Sequence, residues 1–299
     1  MDITFENDKL IFHNVECFDV DKSCNCGQAF RWRKFANGQL GIVRGQAVLL
    51  WREGSDIAIK GATHQTAALW AHYLDIGRDY SAIEEAVMGD ERLAVCFPEA
   101  HGIRVFNQEP FEALISFIIS QNNNIKRISG IIERLCALCG EPLEFMGERL
   151  YAFPSPEKIA GLSVGQLEQI GAGYRAPFIK AAAERILDGF DLEALRDMSL
   201  EEARTELKGF LGIGPKVADC ILLFSLRHSD AFPVDVWIDR AMKALFFDGG
   251  KAKKAELYEA VSSLGEYSGI IQQYIFQYAR TLGRDKLESK GKSDYNTLK

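Results

Sequence analysis

Apolar and polar residues alternate through the first sixty positions of the chain, and a helical rhythm replaces this alternation further on. Val15–Val20, Phe30–Phe35, Leu40–Val43, Ala47–Trp51 and Ile57–Lys60 alternate or are β-branched, with turn signals such as Asn37-Gly38 and Gly54-Ser55 between them. These runs predict an antiparallel sheet with one covered face. Helical spacing begins at Gln65–Tyr73 and Ser81–Met88. From Pro110 onward only helices are predicted: Phe111–Ser120, Ile125–Leu138, Ala176–Leu187, Lys216–Leu226, Val236–Leu245, Lys254–Leu264 and Ile270–Leu282. Ser163 with Gln166 and Ser199 with Glu202 have capping-box spacing, and Pro156 after Ser155 is another helix start. The expected class is α+β. An antiparallel β-sheet domain with flanking helices covers 1–105, an all-helical domain covers 106–285, and a charged tail, expected to fray, covers 286–299.

Composition narrows this picture. With 299 residues, 47% of them hydrophobic and 26% charged, the chain can bury one large core or two smaller ones. Met1–Leu10 is polar and acidic, unlike a secretory leader, and the longest apolar run, Ala113–Ile119, is too short to span a bilayer. A membrane partner is therefore not expected. The cysteines (17, 24, 26, 96, 136, 139 and 220) are odd in number and irregularly spaced, which reads as reduced intracellular thiols. Cys24–Cys26 and Cys136–Cys139 invite a zinc reading. Cys136 and Cys139 fall on a predicted helix, however, and no second CxxC or paired histidines accompany them, so core thiols are preferred and no metal is expected. The net charge of −7 and pI of about 5.4 count against nucleic acid, which usually leaves a basic footprint.

One segment offsets that objection. In Leu211-Gly212-Ile213-Gly214-Pro215-Lys216, between two helical patterns, Gly212 and Gly214 allow a tight turn and close backbone approach, and Pro215 suits the first helical position. The unpaired N–H groups of the following helix form an anion site that needs no cationic side chain. A glycine-capped connector is the alternative reading. Lys216, in the first turn, faces the unfavourable end of the helix dipole, which is expected to lower its pKa and favour a nucleophilic neutral amine. A solvated surface lysine is the alternative. Cys220 lies one turn on, along the same face. Downstream, in Phe232-Pro233-Val234-Asp235-Val236-Trp237, Asp235 is placed to cap the next helix. Near Lys216 it could also stabilise a cationic sugar or move a proton.

Taken together, these residues resemble the helix-hairpin-helix glycosylase superfamily, and in particular its 8-oxoguanine DNA glycosylase branch. The resemblance runs from about Phe12 to about Gly283. It is carried by Gly212-Ile213-Gly214-Pro215-Lys216-Val217-Ala218-Asp219-Cys220 followed by Pro233-Val234-Asp235, by Gln121-Asn122-Asn123-Asn124 with Arg127, by Gly171-Ala172-Gly173-Tyr174-Arg175, by Gly27-Gln28-Ala29-Phe30-Arg31-Trp32, and by Gln272 with Phe276. The resemblance implies a monomer acting on double-stranded DNA that contains 8-oxoguanine, excising the base opposite cytosine and nicking the strand as an abasic-site lyase. It assigns Lys216 as nucleophile and Asp235 as electrostatic partner. It places Gly27, Cys220, Gln272 and Phe276 around the flipped base. Asn122, Arg127, Tyr174, Arg175, Gly212, Gly214, Val217 and Trp237 would contact DNA. Phe276 read alone is core, and Arg127 and Arg175 read alone are surface charges. Two positions depart from the pattern. Trp237 stands where some relatives carry a phosphate-contacting histidine, and Pro215 where a small polar residue is common. Relatives can hold a structural cation on hairpin carbonyls, here those of Lys208, Phe210 and Ile213; no required cofactor is expected.

Rival readings make different demands on the sequence. Branches that remove alkylated bases generally lack the nucleophilic lysine, and the iron–sulfur branch needs four clustered cysteines, whereas none follows Cys220. A non-catalytic DNA-binding protein would use the hairpin alone, and a protein-binding scaffold is favoured only by the acidic charge.

Overall fold

A computed structural model describes residues 2–283 except 248, 249 and 251. The charged segment 286–299, expected to fray, lies outside the described residues.

The N-terminal part is a six-stranded antiparallel sheet of β1 (Ile3–Glu6), β2 (Lys9–Phe12), β3 (Trp32–Phe35), β4 (Gly38–Val43), β5 (Gln46–Glu53) and β6 (Asp56–Lys60), in the order β1-β2-β6-β5-β4-β3. The alternation from Leu40 to Lys60 fixes its centre: Leu50 pairs with Ile59 and Leu40 with Leu49. Leu10, Phe12, Val48, Leu50, Ile57 and Ile59 then bury against Trp70, Tyr73, Leu74 and Phe106. Val15–Val20, expected as a strand, is not one. Asp19 accepts a hydrogen bond from the Lys22 amide at 2.8 Å and starts the helix Val20–Asn25 instead. A side-chain cap thus overrides the alternation.

The second expectation to fail is that only helices follow Pro110. The strands β7 (Pro142–Phe145) and β8 (Glu148–Tyr151) form a hairpin. Its turn, Met146-Gly147, has positive φ at both residues (51° and 80°), the geometry of a tight two-residue hairpin. The remaining helices appear close to their predicted places, and both predicted capping boxes are present, at Ser163/Gln166 and Ser199/Glu202.

A larger core unites the helices, with Leu114, Ile118, Ile131, Leu135, Ile179, Ile221, Leu222, Tyr274 and Ile275 at its centre. It also takes in Tyr80, Ile83 and Val87, which precede the expected border at 105/106, and Cys26 and Phe30 from the loop before β3. The polypeptide around Gly27 therefore belongs to the sheet by sequence and to the helical core by packing.

Candidate active site

The glycine hairpin joins the helices Leu200–Lys208 and Pro215–Ser225. Gly212 has φ +80°, and a Cβ there would stand 2.4 Å from the Phe178 ring, so both backbone conformation and space demand glycine. Gly214 is the N-cap of the second helix, and no side chain accepts from the first amides of that helix. Its unpaired N–H groups, those of Lys216 and Val217 among them, remain available to an anion. Arg204 on the first helix and Asp219 on the second staple the hairpin at 2.7 Å. Burial pushes the Asp219 carboxyl up to about 6 despite that cation. Sequence reasoning quoted Asp219 without a role, because its partner lies fifteen residues upstream.

Lys216 points into a cleft of about 820 Å³ that is also lined by Gly27, Phe117, Asn122, Val217, Cys220, Asp235, Trp237, Gln272 and Phe276. Its Nζ lies 5.9 Å from the centre of the Phe117 ring. Phe117 was not foreseen, since nothing separates it from its apolar neighbours in the helix Pro110–Ser120. The lowered lysine pKa expected from the helix start is not found. Lys216 is raised, first by its pairing with Cys220 and also by the Asp235 carboxylate, which together outweigh burial. Burial in turn pushes the Cys220 thiol up, against the pull of Lys216. The free protein therefore stores a protonated amine, and the nucleophile forms only after a proton leaves.

Asp235 caps the helix Val236–Phe246: its Oδ1 accepts from the amides of Trp237 and Ile238, both at 2.9 Å. Capping is thus part of its role. It also fixes the carboxylate at the cleft, with Oδ2 free of protein donors among the described residues.

Gln272, on the last described helix Ser268–Leu282, is 4% exposed. Its Nε2 donates to the Pro233 carbonyl at 3.2 Å, whereas Oε1 is buried without a donor. Gly27 adopts φ +92°, and a Cβ there would touch Ile125 at 3.1 Å and Phe276 at 3.5 Å. The Gly27 carbonyl receives no hydrogen bond from the described residues. The cleft thus presents two unpaired acceptors near one amine. A buried unmatched acceptor costs stability, and that cost is recovered when a donor binds.

Of the residues assigned to the DNA partner strand, Asn122 borders this cleft, whereas Arg127, Tyr174 and Arg175 do not line it. Asn122, exposed and with φ +46°, sits at its mouth, while Asn124 caps the helix Ile125–Cys139 by accepting from the Arg127 amide at 3.0 Å. The Arg127 side chain is exposed. Tyr174 is 56% exposed. Arg175 is neither a surface charge nor open to a base. It is 3% exposed, and its guanidinium donates to the carbonyls of Gln121, Asn122 (3.1 Å) and Ala172 (3.2 Å). In this structure it supports the Asn122 turn.

The geometry, a glycine hairpin presenting amides beside a half-buried lysine and aspartate, can be compared with known proteins. The HhH-GPD superfamily of base excision DNA repair proteins matches residues 115–266. The chain belongs to this superfamily. The N-terminal domain of 8-oxoguanine DNA glycosylase matches residues 10–114 of the same HhH-GPD protein. A probable N-glycosylase/DNA lyase of Methanothermobacter thermautotrophicus is 32% identical, over 89% of this chain and 95% of the relative. An N-glycosylase/DNA lyase of Arabidopsis thaliana is also 32% identical, over 84% of this chain and 74% of its own. A Clostridium acetobutylicum 8-oxoguanine glycosylase/lyase, solved with DNA containing cytosine opposite 8-oxoguanine, superposes with a TM-score of 0.90 at 36% identity, covering 94% of this chain and 98% of that one. A 3-methyladenine DNA glycosylase from Archaeoglobus fulgidus shares the fold, with a TM-score of 0.77 at 21% identity. No helix among the described residues is long and apolar enough to cross a membrane.

Proposed function

We propose that this HhH-GPD protein is a bifunctional 8-oxoguanine DNA glycosylase and abasic-site lyase of base excision repair, acting as a monomer on duplex DNA through a sheet domain over 1–105 and a helix-hairpin-helix domain over 106–285. The observation that carries the reading is the pair of unpaired acceptors, Gly27 O and Gln272 Oε1, in the cleft that holds Lys216. Guanine presents an acceptor at N7, whereas 8-oxoguanine presents N–H there, and both present donors on the Watson–Crick edge. Gly27 O takes the N7 proton, Gln272 takes the Watson–Crick donors, and Phe276 and Cys220 enclose the ring. Extrusion of the nucleotide is required because its glycosidic bond is unreachable inside the stack.

Once deprotonated, Lys216 Nζ attacks C1′; the N–C1′ bond forms and the C1′–N9 bond breaks, its electron pair leaving with the base. Ring opening gives the imine. Loss of a C2′ proton then expels the 3′ phosphate by β-elimination. Asp235 stabilises the positive charge that develops on the sugar. The hairpin amides around Gly212, Gly214 and Val217, with Trp237 at the neighbouring helix start, hold backbone phosphates. Asn122 fills the vacated stack, Tyr174 wedges the neighbouring step, and Arg127 reads the opposite base, with cytosine preferred. Arg175 joins it at that base once its present carbonyl partners are given up.

Borohydride trapping on a duplex with one 8-oxoguanine tests the chemistry. Wild type yields a covalent adduct and Lys216→Gln yields none. An adduct in the variant overturns the assignment of Lys216.

A further inference from the structure

A carbonyl that discriminates N7–H from a bare N7 must hold its place, because a mobile carbonyl turns away from guanine and the penalty disappears. What holds Gly27 is therefore part of specificity. On its C-terminal side, Gln28 is fully buried. Its Nε2 donates to the carbonyls of Ser23 (2.8 Å) and Arg104 (2.7 Å), its Oε1 accepts from the Phe106 amide (2.7 Å), and its carbonyl accepts from Gln108 Nε2 (2.7 Å). On its N-terminal side, among the described residues, the one side chain that donates to the Cys26 carbonyl is Gln273, at 3.1 Å. Gln273 is 2% exposed and 247 residues away along the chain.

From this tether we infer that Gln273 is a positioning residue for lesion discrimination, acting through the Cys26–Gly27 peptide and without touching the base. The inference rests on the proposed role of the Gly27 carbonyl. Its physical basis is that one helix carries three consecutive functions. Gln272 offers the edge acceptor, Phe276 one turn later packs beside Gly27, and Gln273, which also borders the cleft, commits its amide to the Cys26 carbonyl and so ties down the loop that carries the Gly27 carbonyl. The Cys26 carbonyl and Gln273 are both shut off from water, so no solvent donor replaces the amide if it is removed. Without this tether Gly27, with no Cβ to restrain it, keeps the Gln28 anchors on its C-terminal side but loses its hold at the Cys26 carbonyl, and the peptide between them gains freedom to rotate.

The test compares two reactions of the full chain. Single-turnover excision from an 8-oxoguanine duplex needs the pocket, whereas strand cleavage at a preformed abasic site has no base to read. Gln273→Met keeps the length and removes the donor. Excision is expected to fall about tenfold, the scale of one lost buried hydrogen bond, with abasic-site cleavage within about twofold of wild type. Gln273→Glu adds a second readout. A buried carboxyl is readily protonated and then donates, so its excision relative to abasic cleavage should recover as pH falls from about 8 to about 5.5. Equal losses in both reactions would mean a merely structural role and overturn the inference, as would unchanged excision. If wild type itself leaves the 8-oxoguanine duplex intact, the proposed function fails instead.

Discussion

Replacing either hairpin glycine by alanine adds the same methyl group, yet the structure separates the consequences. At position 212 the methyl meets two penalties. A non-glycine residue at φ +80° costs ~1–2 kcal/mol. A Cβ 2.4 Å from Phe178 forces that ring aside, and overpacking of this kind costs ~1–3 kcal/mol. Gly212→Ala should therefore lose about 2–5 kcal/mol, and at roughly 2 °C per kcal/mol for a chain of this size the melting temperature falls by about 4–10 °C. At position 214 the backbone is extended (φ −96°, ψ 177°) and the methyl meets nothing within 4 Å. Gly214→Ala should change stability by less than ~1 kcal/mol. If, as proposed, a phosphate docks on the amides of Lys216 and Val217, the added methyl stands in the open space beside them, so duplex affinity should fall and its salt dependence weaken. Differential scanning calorimetry and fluorescence anisotropy across a salt series read the two effects. A Gly212→Ala protein that melts with wild type, or a Gly214→Ala protein that binds DNA as tightly as wild type, refutes the reasoning.

Three further outcomes are expected. Because Lys216 is held above its ordinary range, abasic-site cleavage should climb with pH as the ammonium deprotonates, and because burial keeps Cys220 a neutral thiol near neutral pH, Cys220→Ala should leave the neutral part of that profile unchanged; cleavage that is flat with pH argues against a stored ammonium. Gln272→Leu deletes a buried unmatched oxygen and also the donor to the Pro233 carbonyl, so the two effects oppose and the melting temperature should change little while 8-oxoguanine excision drops about tenfold, and intact excision would remove Gln272 from the reader. Burial pushes Glu112 up to about 7 from 4.5, so the stability its neutral form contributes is complete below about pH 4.5 and fades as pH rises through about 7, a loss of up to about 3 kcal/mol. Glu112→Gln should abolish that slope in urea titrations between about pH 5 and 8, and a slope that survives assigns it to another group.

Much of the fold was legible because local signals agreed with the tertiary solution. The alternation from Leu40 to Lys60, the capping boxes and the helical spacing from Phe111 onward all reappear. What escaped depended on local chemistry outweighing pattern. The first two strands are short and interrupted by charges, with Asn7 and Asp8 at positive φ in their turn. The β7–β8 hairpin turns on Met146-Gly147, an unusual pair for that geometry. At the site, the residues themselves pointed to Lys216 and Asp235 and the family resemblance to Gly27, Gln272 and Phe276, all of which the fold brings to one cleft. The electrostatics were hidden. The direction of the lysine shift depends on where Cys220 and Asp235 stand in space, and the commitment of Arg175 depends on three carbonyls contributed by two separate turns.

The last described helix has a consequence for the order in which the protein is made. During synthesis the sheet, the hairpin and Lys216 leave the ribosome before Ser268–Leu282 exists. A nascent chain in that interval already carries Lys216 and the hairpin amides proposed to bind phosphate. It lacks Gln272 and Phe276, and the tether on Cys26 is not yet made. On the proposed reading the residues for grip are encoded early and those that judge the base late, and because Tyr274 and Ile275 stand at the centre of the helical core, the hairpin gains its full support only when this last helix packs.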